Sequence, residues 1–292
     1  MTWFLLGILG GVLLTIPLAA IAARRAARRV RRLEQRARSS QRLAELGTLT
    51  GGLAHEIKNP LSTIGLNVQL LQEDLEELKT PVQDDARPDD AHDEQIGRIQ
   101  RRFESLSKET RQLRDILEDF LKFAGRVNLD QASTDVNQLI EELVDFFTPH
   151  ATESGVHLRS QLSAANSTCL IDRTAFKQAL LNLLINASQA MANARQKDEP
   201  GSGGDELIIR TQRVRSVDKS EDLQIDIIDT GPGMSPQTAE KIFHPYFSTK
   251  ASGTGLGLAT ARRIIEEHGG SISVHSELGR GTDFVILIPL DV

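Results

Sequence analysis

Within the stretch "HEIKNP", residues 55 to 60, a histidine stands beside a glutamate and just before a proline. A neutral imidazole is a nucleophile near neutral pH, and a carboxylate that accepts the proton on one ring nitrogen raises the electron density at the other. Glu56 is the candidate for that carboxylate, although adjacent helical positions do not face each other and the contact needs a favourable rotamer. Pro60 lacks an amide hydrogen and clashes with the carbonyl of Glu56, so the helix is expected to loosen one turn beyond His55. Taken alone, His55 reads as an ordinary solvated side chain. Its neighbours and the rest of the chain give it weight.

Three further stretches carry polar chemistry. In "QALLNLLINASQAM", residues 178 to 191, Asn182 and Asn186 are four apart and share one helix face. Neutral amide oxygens can coordinate magnesium without adding charge beside a polyphosphate. On a helix this apolar, two asparagines need polar partners. In "IIDTGPGM", residues 227 to 234, a strand runs into Asp229 and then Gly231 and Gly233. A carboxylate at a strand end can accept hydrogen bonds from an exocyclic amine, and glycines let backbone approach a flat ring. In "STKASGTGLGLA", residues 248 to 259, Gly253, Gly255 and Gly257 precede a helix. Free amides at a helix N-terminus bind phosphate, and Lys250 adds a nearby cation. Each stretch has an ordinary alternative: surface amides, a plain turn, a glycine loop. No Walker lysine-serine pair and no strand-first dinucleotide fingerprint accompanies them, which disfavours a P-loop or Rossmann site.

Two kinds of element must position these residues. From Leu46 the apolar positions Leu49, Leu53, Ile57, Leu61, Ile64, Val68, Leu71, Leu75 and Leu78 recur at steps of three or four, the pattern of a helix with one buried stripe. His55 lies two positions from both Leu53 and Ile57, about 200° around at roughly 100° per residue, and so points away from that stripe. A second run, from Ile96 to Phe120, repeats the spacing. The intervening "TPVQDDARPDDAHDE" holds two prolines and six acidic residues and reads as a solvated connection. The two helices form an antiparallel hairpin, with self-association into a four-helix bundle expected to cover the rest of the apolar surface. A polar linker over 126–134 leads to a mixed domain. It reads as a helix over Val136 to Phe147, strands at Val156 to Leu162 and Cys169 to Ile171, and a helix over Arg173 to Ala194. Strands at Leu207 to Val214 and Leu223 to Asp229, a helix over Leu256 to His268, and strands at Ser271 to Ser276 and Asp283 to Pro289 complete it. Strands arriving in pairs make this an α+β layer fold with an antiparallel or mixed sheet.

At 292 residues and 39% hydrophobic, the chain can supply a core for about two domains. A net charge of −6 gives no global basic field, so nucleic acid is not an expected partner. The lone cysteine, Cys169, excludes an internal disulfide. Residues 3 to 23 form an uncharged apolar run of 21, which as a helix spans roughly 31 Å and matches a bilayer core. Eight arginines follow between Arg24 and Arg38 and belong on the cytoplasmic side. A single transmembrane anchor over 1–23 and a basic juxtamembrane segment over 24–40 are the expectation, with no sensor domain outside the membrane. A cleaved signal peptide is the competing reading, opposed by the absence of a basic residue before the apolar run.

In their order, the four stretches resemble a bacterial two-component sensor histidine kinase. "HEIKNPL" is similar to the phosphoacceptor box of the dimerisation and histidine-phosphotransfer domain, expected here over 41–125. Asn182 and Asn186 fall on the N box, "DTGPGM" on the first glycine box, "IFHPYFSTK" on the phenylalanine box and "GTGLGLA" on the second glycine box. The resemblance implies an ATP-binding sandwich of the Bergerat type over 135–292, with ATP and Mg2+ as cofactors. It implies that His55 attacks the γ-phosphate with Glu56 as base and orienter, and that Asn59 orients water for dephosphorylating the partner. It further implies that Asp229 reads the adenine amine and that Asn186 holds magnesium with Asn182 beside it. The loop from Ser248 to Gly255 becomes the ATP lid, packed by Phe243 and Phe247. The implied partners are a second copy of the chain and the receiver domain of a response regulator, and the implied location is the inner membrane with the catalytic part in the cytoplasm. Two other readings remain. An ATP-hydrolysing clamp would place a glutamate base where Asn182 stands, and asparagine is no base at neutral pH. A non-catalytic membrane scaffold would have lost the nucleotide residues.

Overall fold

A computed structural model describes residues 51–76, 88–125, 129–195, 205–215, 221–250 and 253–291. The apolar run over 3–23 and the arginine cluster lie outside these residues. Among the described residues, no helix is long and apolar enough to cross a membrane. His55–Val292 is one compact unit containing both the hairpin and the sandwich.

The hairpin is built from α1 (residues 51–76) and α2 (Pro88–Ala124). α1 runs through Pro60 without interruption, so the expected loosening is not a break in the helix. Beside it, Ser62 Oγ donates to Lys58 O at 2.8 Å and Thr63 Oγ1 to Asn59 O at 3.3 Å, the bond to the carbonyl four residues back that helical hydroxyls make. α2 begins at Pro88, inside the stretch read from sequence as a connection. Proline is tolerated in a first helical turn, and acidic residues favour a helix N-terminus, so "PDDAHDE" starts a helix as readily as it makes a loop. Polar contacts tie the pair together. Asn67 Nδ2 donates to Ser105 Oγ at 3.2 Å, and the buried Asp74 takes the Arg102 Nε at 2.9 Å. Within this chain Leu71, Ile116 and Phe123 are buried, while Leu61, Leu66, Val68, Phe103, Leu117 and Leu121 are exposed. The apolar stripe is therefore only partly covered by the hairpin itself.

The sandwich begins with β1 (Ala132–Asp135), which pairs antiparallel with β3 (Thr168–Ile171). This corrects the linker read over 126–134, whose last residues belong to the sheet. β1 is short and mostly exposed, so no apolar alternation announces it. Asp135 then caps α3 (Val136–Glu153), accepting from the amides of Asn137 at 3.0 Å and Gln138 at 3.4 Å. After β2 (Val156–Leu162) come α4 (Arg173–Arg195), β4 (Asp205–Arg215) and β5 (Glu221–Asp229). A short α5 (Pro236–Ala239), not read from sequence, precedes α6 (Gly257–Glu267), and β6 (Ser271–Glu277) and β7 (Gly281–Pro289) finish the chain. The main sheet has the order β2-β4-β5-β7-β6. β2 lies parallel to β4 and the other pairs are antiparallel, a mixed sheet as expected.

Alternate residues on the central strands face the helices. Leu207 and Ile209 of β4, Leu223, Ile225 and Ile227 of β5, and Phe284, Ile286 and Ile288 of β7 are all buried. They meet Leu139, Ile140 and Leu143 of α3, Leu180, Leu183 and Leu184 of α4, and Ile264 and Ile265 of α6 in one core. Each such side chain stabilises the fold by about 1.5–3 kcal/mol. A polar tie locks α6 to the start of α4. His268 Nε2 accepts from the Asp172 amide at 2.9 Å, which leaves Nδ1 as the protonated nitrogen, 2.7 Å from Ile264 O.

Asp135 gives this fold its most local test. Ser167 Oγ, more than the helix amides, holds its carboxyl below the ordinary carboxylate value. A lowered folded value stabilises above the unfolded value of 3.8, and that stability is lost as pH falls through the folded one. Asp135→Ala should therefore cost about 1–2 kcal/mol in urea unfolding at pH 7. The difference from wild type should shrink in acid.

Candidate active site

α1 carries His55 and Asn59 on its exposed side and turns the half-buried Glu56 inward. Among the described residues, no hydrogen bond joins Glu56 to His55, and the buried Glu56 Oε2 has no hydrogen-bond partner. Burial, and then the charge of Asp119 on α2, push the Glu56 carboxyl up to about 7. Opposite it stands Tyr246, whose hydroxyl is also buried without a hydrogen-bond partner. Burial and the Glu56 charge push that phenol up to about 12.

The sandwich meets the hairpin at this seam. Thr254 Oγ1 donates to Asp119 Oδ2 at 2.9 Å. From α6, Arg263 Nη2 donates to Gly125 O at 2.6 Å, and its guanidinium lies 5.6 Å from the centre of the Phe123 ring. Gly255 permits a close approach within the sandwich's own loop. At φ +64° it passes so close to the 246–247 backbone that a Cβ would stand 2.6 Å from the Tyr246 carbonyl carbon. Tyr246 itself has φ +61°, an uncommon conformation for a residue with a side chain.

The face of α4 opposite the core presents amides in a row. Asn182 Oδ1 accepts from Gln178 Nε2 at 2.9 Å, and Asn182 Nδ2 donates to Gly257 O at 3.0 Å, tying α4 to the first residue of α6. Asn186 Oδ1 and Gln189 Oε1 both accept from Lys250 Nζ at 2.9 Å. Burial lowers the Lys250 ammonium from its ordinary value. At the end of β5, Asp229 is buried, and desolvation pushes its carboxyl up to about 6 against the opposing amides of Gly231 and Thr282. The Gly231 amide donates to Asp229 Oδ1 at 2.9 Å. Gly233, at φ +66°, lies so close to the carbonyl of Glu277 that no Cβ would fit. Gly253 sits against Ser248 Oγ, and Gly257 has open space on its Cβ side.

The structure thus brings Asn182, Asn186, Lys250 and Gly257 together around α4 and sets Asp229, Gly231 and Gly233 at one end of β5. His55, Glu56 and Asn59 lie along α1. Sequence reasoning does not single out Gln189, Tyr246 or Asp119. Gln189 has a signal, since it follows Asn186 by three on the same helix face. Tyr246 and Asp119 have none, because both act across the seam. The amide oxygens fit a hard cation, as they already converge on an ammonium. Among the described residues, no group of three or more His, Cys, Asp or Glu side chains could hold a metal. A magnesium ion here would need nucleotide phosphates for most of its ligands.

A phosphoacceptor-type hairpin joined to an α/β sandwich of this topology is the architecture of a histidine kinase core. Residues 45–125 match the His Kinase A (phospho-acceptor) domain, and residues 171–292 match the histidine kinase-, DNA gyrase B- and HSP90-like ATPase family. The signal transduction histidine-protein kinase AtoS of Escherichia coli (strain K12) is 33% identical over 258 residues, covering 88% of this chain and 37% of AtoS. The sensor histidine kinase ZraS of the same strain is 30% identical over 294 residues, covering 100% of this chain and 56% of ZraS. The chain therefore spans about half the length, or less, of these relatives. Among solved structures, full-length ShkA in complex with AMPPNP has a TM-score of 0.53 at 25% identity, over 81% of this chain and 44% of that one. Histidine kinase ThkA in complex with the response regulator protein TrrA has a TM-score of 0.59 at 24% identity, over 85% and 63%, and shares the fold. The chain belongs to the two-component sensor histidine kinases.

Gly255→Ala should separate the loop from the seam. A Cβ at this left-handed position costs about 1–3 kcal/mol in strain. Hydrogen exchange of residues 246–250 should accelerate while β5 keeps its protection. Unchanged exchange would show that the close approach does not hold the loop.

Proposed function

We propose that the chain is an ATP-dependent protein-histidine kinase that phosphorylates itself on His55 and passes the phosphoryl group to an aspartate of a response regulator receiver domain. The observation that carries this reading is the exposed His55 on a helix whose next residue, Glu56, is turned inward beneath the nucleotide-type sandwich. An imidazole nitrogen attacks the γ-phosphorus of ATP. A P–N bond forms, the P–O bond to ADP breaks, and the imidazole proton leaves to the Glu56 carboxylate. Asp229 accepts from the adenine amine, the amides of Gly253, Gly255 and Gly257 and the Lys250 ammonium face the phosphates, and Asn186 holds magnesium with Asn182 beside it. A magnesium held there would supply positive charge against the phosphates. Asn59, one turn from His55, positions water when the partner is dephosphorylated.

ShkA, whose structure contains AMPPNP, supports a nucleotide of this class. The exposed Leu66, Phe103, Leu117 and Leu121 support a homodimer in which a second hairpin completes a four-helix bundle. The uncharged run over 3–23 and the arginines after it support a single-pass inner-membrane anchor with the catalytic part in the cytoplasm.

Two experiments test the reading. The 292-residue chain incubated with magnesium and γ-labelled ATP should acquire acid-labile, alkali-stable label, and His55→Gln should remove that label while leaving ATP affinity nearly intact. Label that persists in the variant would place the acceptor elsewhere. The second experiment concerns Glu56. A carboxyl raised from 4.5 to about 7 is protonated below that value and becomes a base only above it. The initial labelling rate should therefore rise with pH through about 7. Glu56→Gln should slow labelling by about 10²-fold or more and remove the Glu56 contribution to that rise. A variant with the wild-type rate and profile would sink the base assignment.

A further inference from the structure

Two neutral amide oxygens on one face of α4, Asn186 Oδ1 and Gln189 Oε1, each receive the same Lys250 ammonium at 2.9 Å. Their three-residue spacing places them side by side on the helix. Lys250 is not free to drift from this position. Its amide donates to Ser248 Oγ at 3.0 Å, and Ser248 Oγ donates back to Lys250 O at 3.2 Å, so a small closed turn carries the side chain to α4. Magnesium binds oxygen at about 2.0–2.1 Å and tolerates little distortion. Asn186 Oδ1 has two lone pairs, but an ammonium and a magnesium on the same neutral oxygen would stand roughly 4 Å apart and repel, so each weakens the other's hold on it.

We propose that Lys250 competes with magnesium for Asn186 Oδ1, the oxygen its ammonium occupies, and that Gln189 is the positioning residue that holds the lysine there. The inference rests on the assignment of Asn186 as the magnesium ligand. Asn186 Oδ1 would then hold the magnesium that accompanies ATP, in place of the ammonium. The displaced ammonium leaves both amides for the phosphates, and the turn from Ser248 to Lys250 moves with it. Bare magnesium offers no phosphate in exchange and displaces Lys250 poorly. The site therefore selects the magnesium-nucleotide pair over either component. Gln189 serves the lysine and not the metal, so it sets how much magnesium the exchange requires.

The test uses the 292-residue chain and two readouts that do not depend on phosphorylation. In nucleotide-free protein, hydrogen exchange of residues 246–250 should accelerate in both Lys250→Met and Gln189→Met. In a magnesium titration at fixed concentration of a fluorescent ATP analogue, Gln189→Met should lower the midpoint by about three-fold or more, as expected for removing one charge-assisted hydrogen bond from the competitor. A raised midpoint would make Gln189 a ligand of the metal, and an unchanged midpoint with unchanged exchange would remove it from the site. Either result overturns the proposal. Asn186→Ala separates the metal assignment from the competing lysine. If that variant keeps wild-type magnesium dependence, the metal assignment itself fails. If it loses that dependence while Gln189→Met behaves as wild type, only the lysine-competition inference falls.

Discussion

The two faces of α4 impose incompatible demands, and the sandwich is arranged to satisfy both. Leu180, Leu183 and Leu184 are buried against the sheet and fix the helix in the core. Asn182, Asn186 and Gln189 occupy the opposite face, where each side-chain amide requires a polar partner. Gly257 at the start of α6 meets Asn182, and Lys250 meets the other two. The buried face makes the helix rigid, and rigidity keeps the polar face in register. A site built on such an element needs little further ordering when a ligand arrives.

A second constraint lies at the seam between hairpin and sandwich. Glu56 and Tyr246 are held in mutual proximity with buried oxygens that lack hydrogen-bond partners. Orphaned polar atoms are costly, so the contacts around them must hold the arrangement in place. The Thr254 bond to Asp119 and the Arg263 bond to Gly125 O provide those contacts. In this arrangement Glu56 is half-buried with Oε2 out of solvent, its carboxyl is raised, and no hydrogen bond joins it to His55. Thr254, which meets α2, follows Lys250, which meets α4, by four positions in the chain.

Much of the fold is legible in the pattern of apolar residues along the chain. The bounds of β2 that this pattern implies, Val156 to Leu162, coincide with those observed, and the bounds of α4 and β5 agree within two residues. These elements have strong apolar periodicity and clear ends. β1 is not legible, because a four-residue, mostly exposed strand has no periodicity of its own. α2 starts earlier than its apolar run suggests, because proline and acidic residues suit a helix N-terminus as well as a loop. The exposure of His55 follows from its angle to the stripe, since 3.6-residue periodicity fixes direction around a helix without any tertiary information.

The sequence by itself determined which residue types could do the chemistry and which local elements carry them: a histidine on the polar side of a helix, two asparagines on one helix face, an aspartate at a strand end, glycines before a helix. Periodicity and turn chemistry are local, and local rules reach only a few residues along the chain. The tertiary structure alone decided the partners. It seated Lys250 on Asn186 and Gln189, 64 and 61 residues away, and joined Thr254 to Asp119 across 135. It also set Tyr246 against Glu56. Contacts over such separations depend on how the packed core brings distant elements together, and no spacing along the chain encodes that.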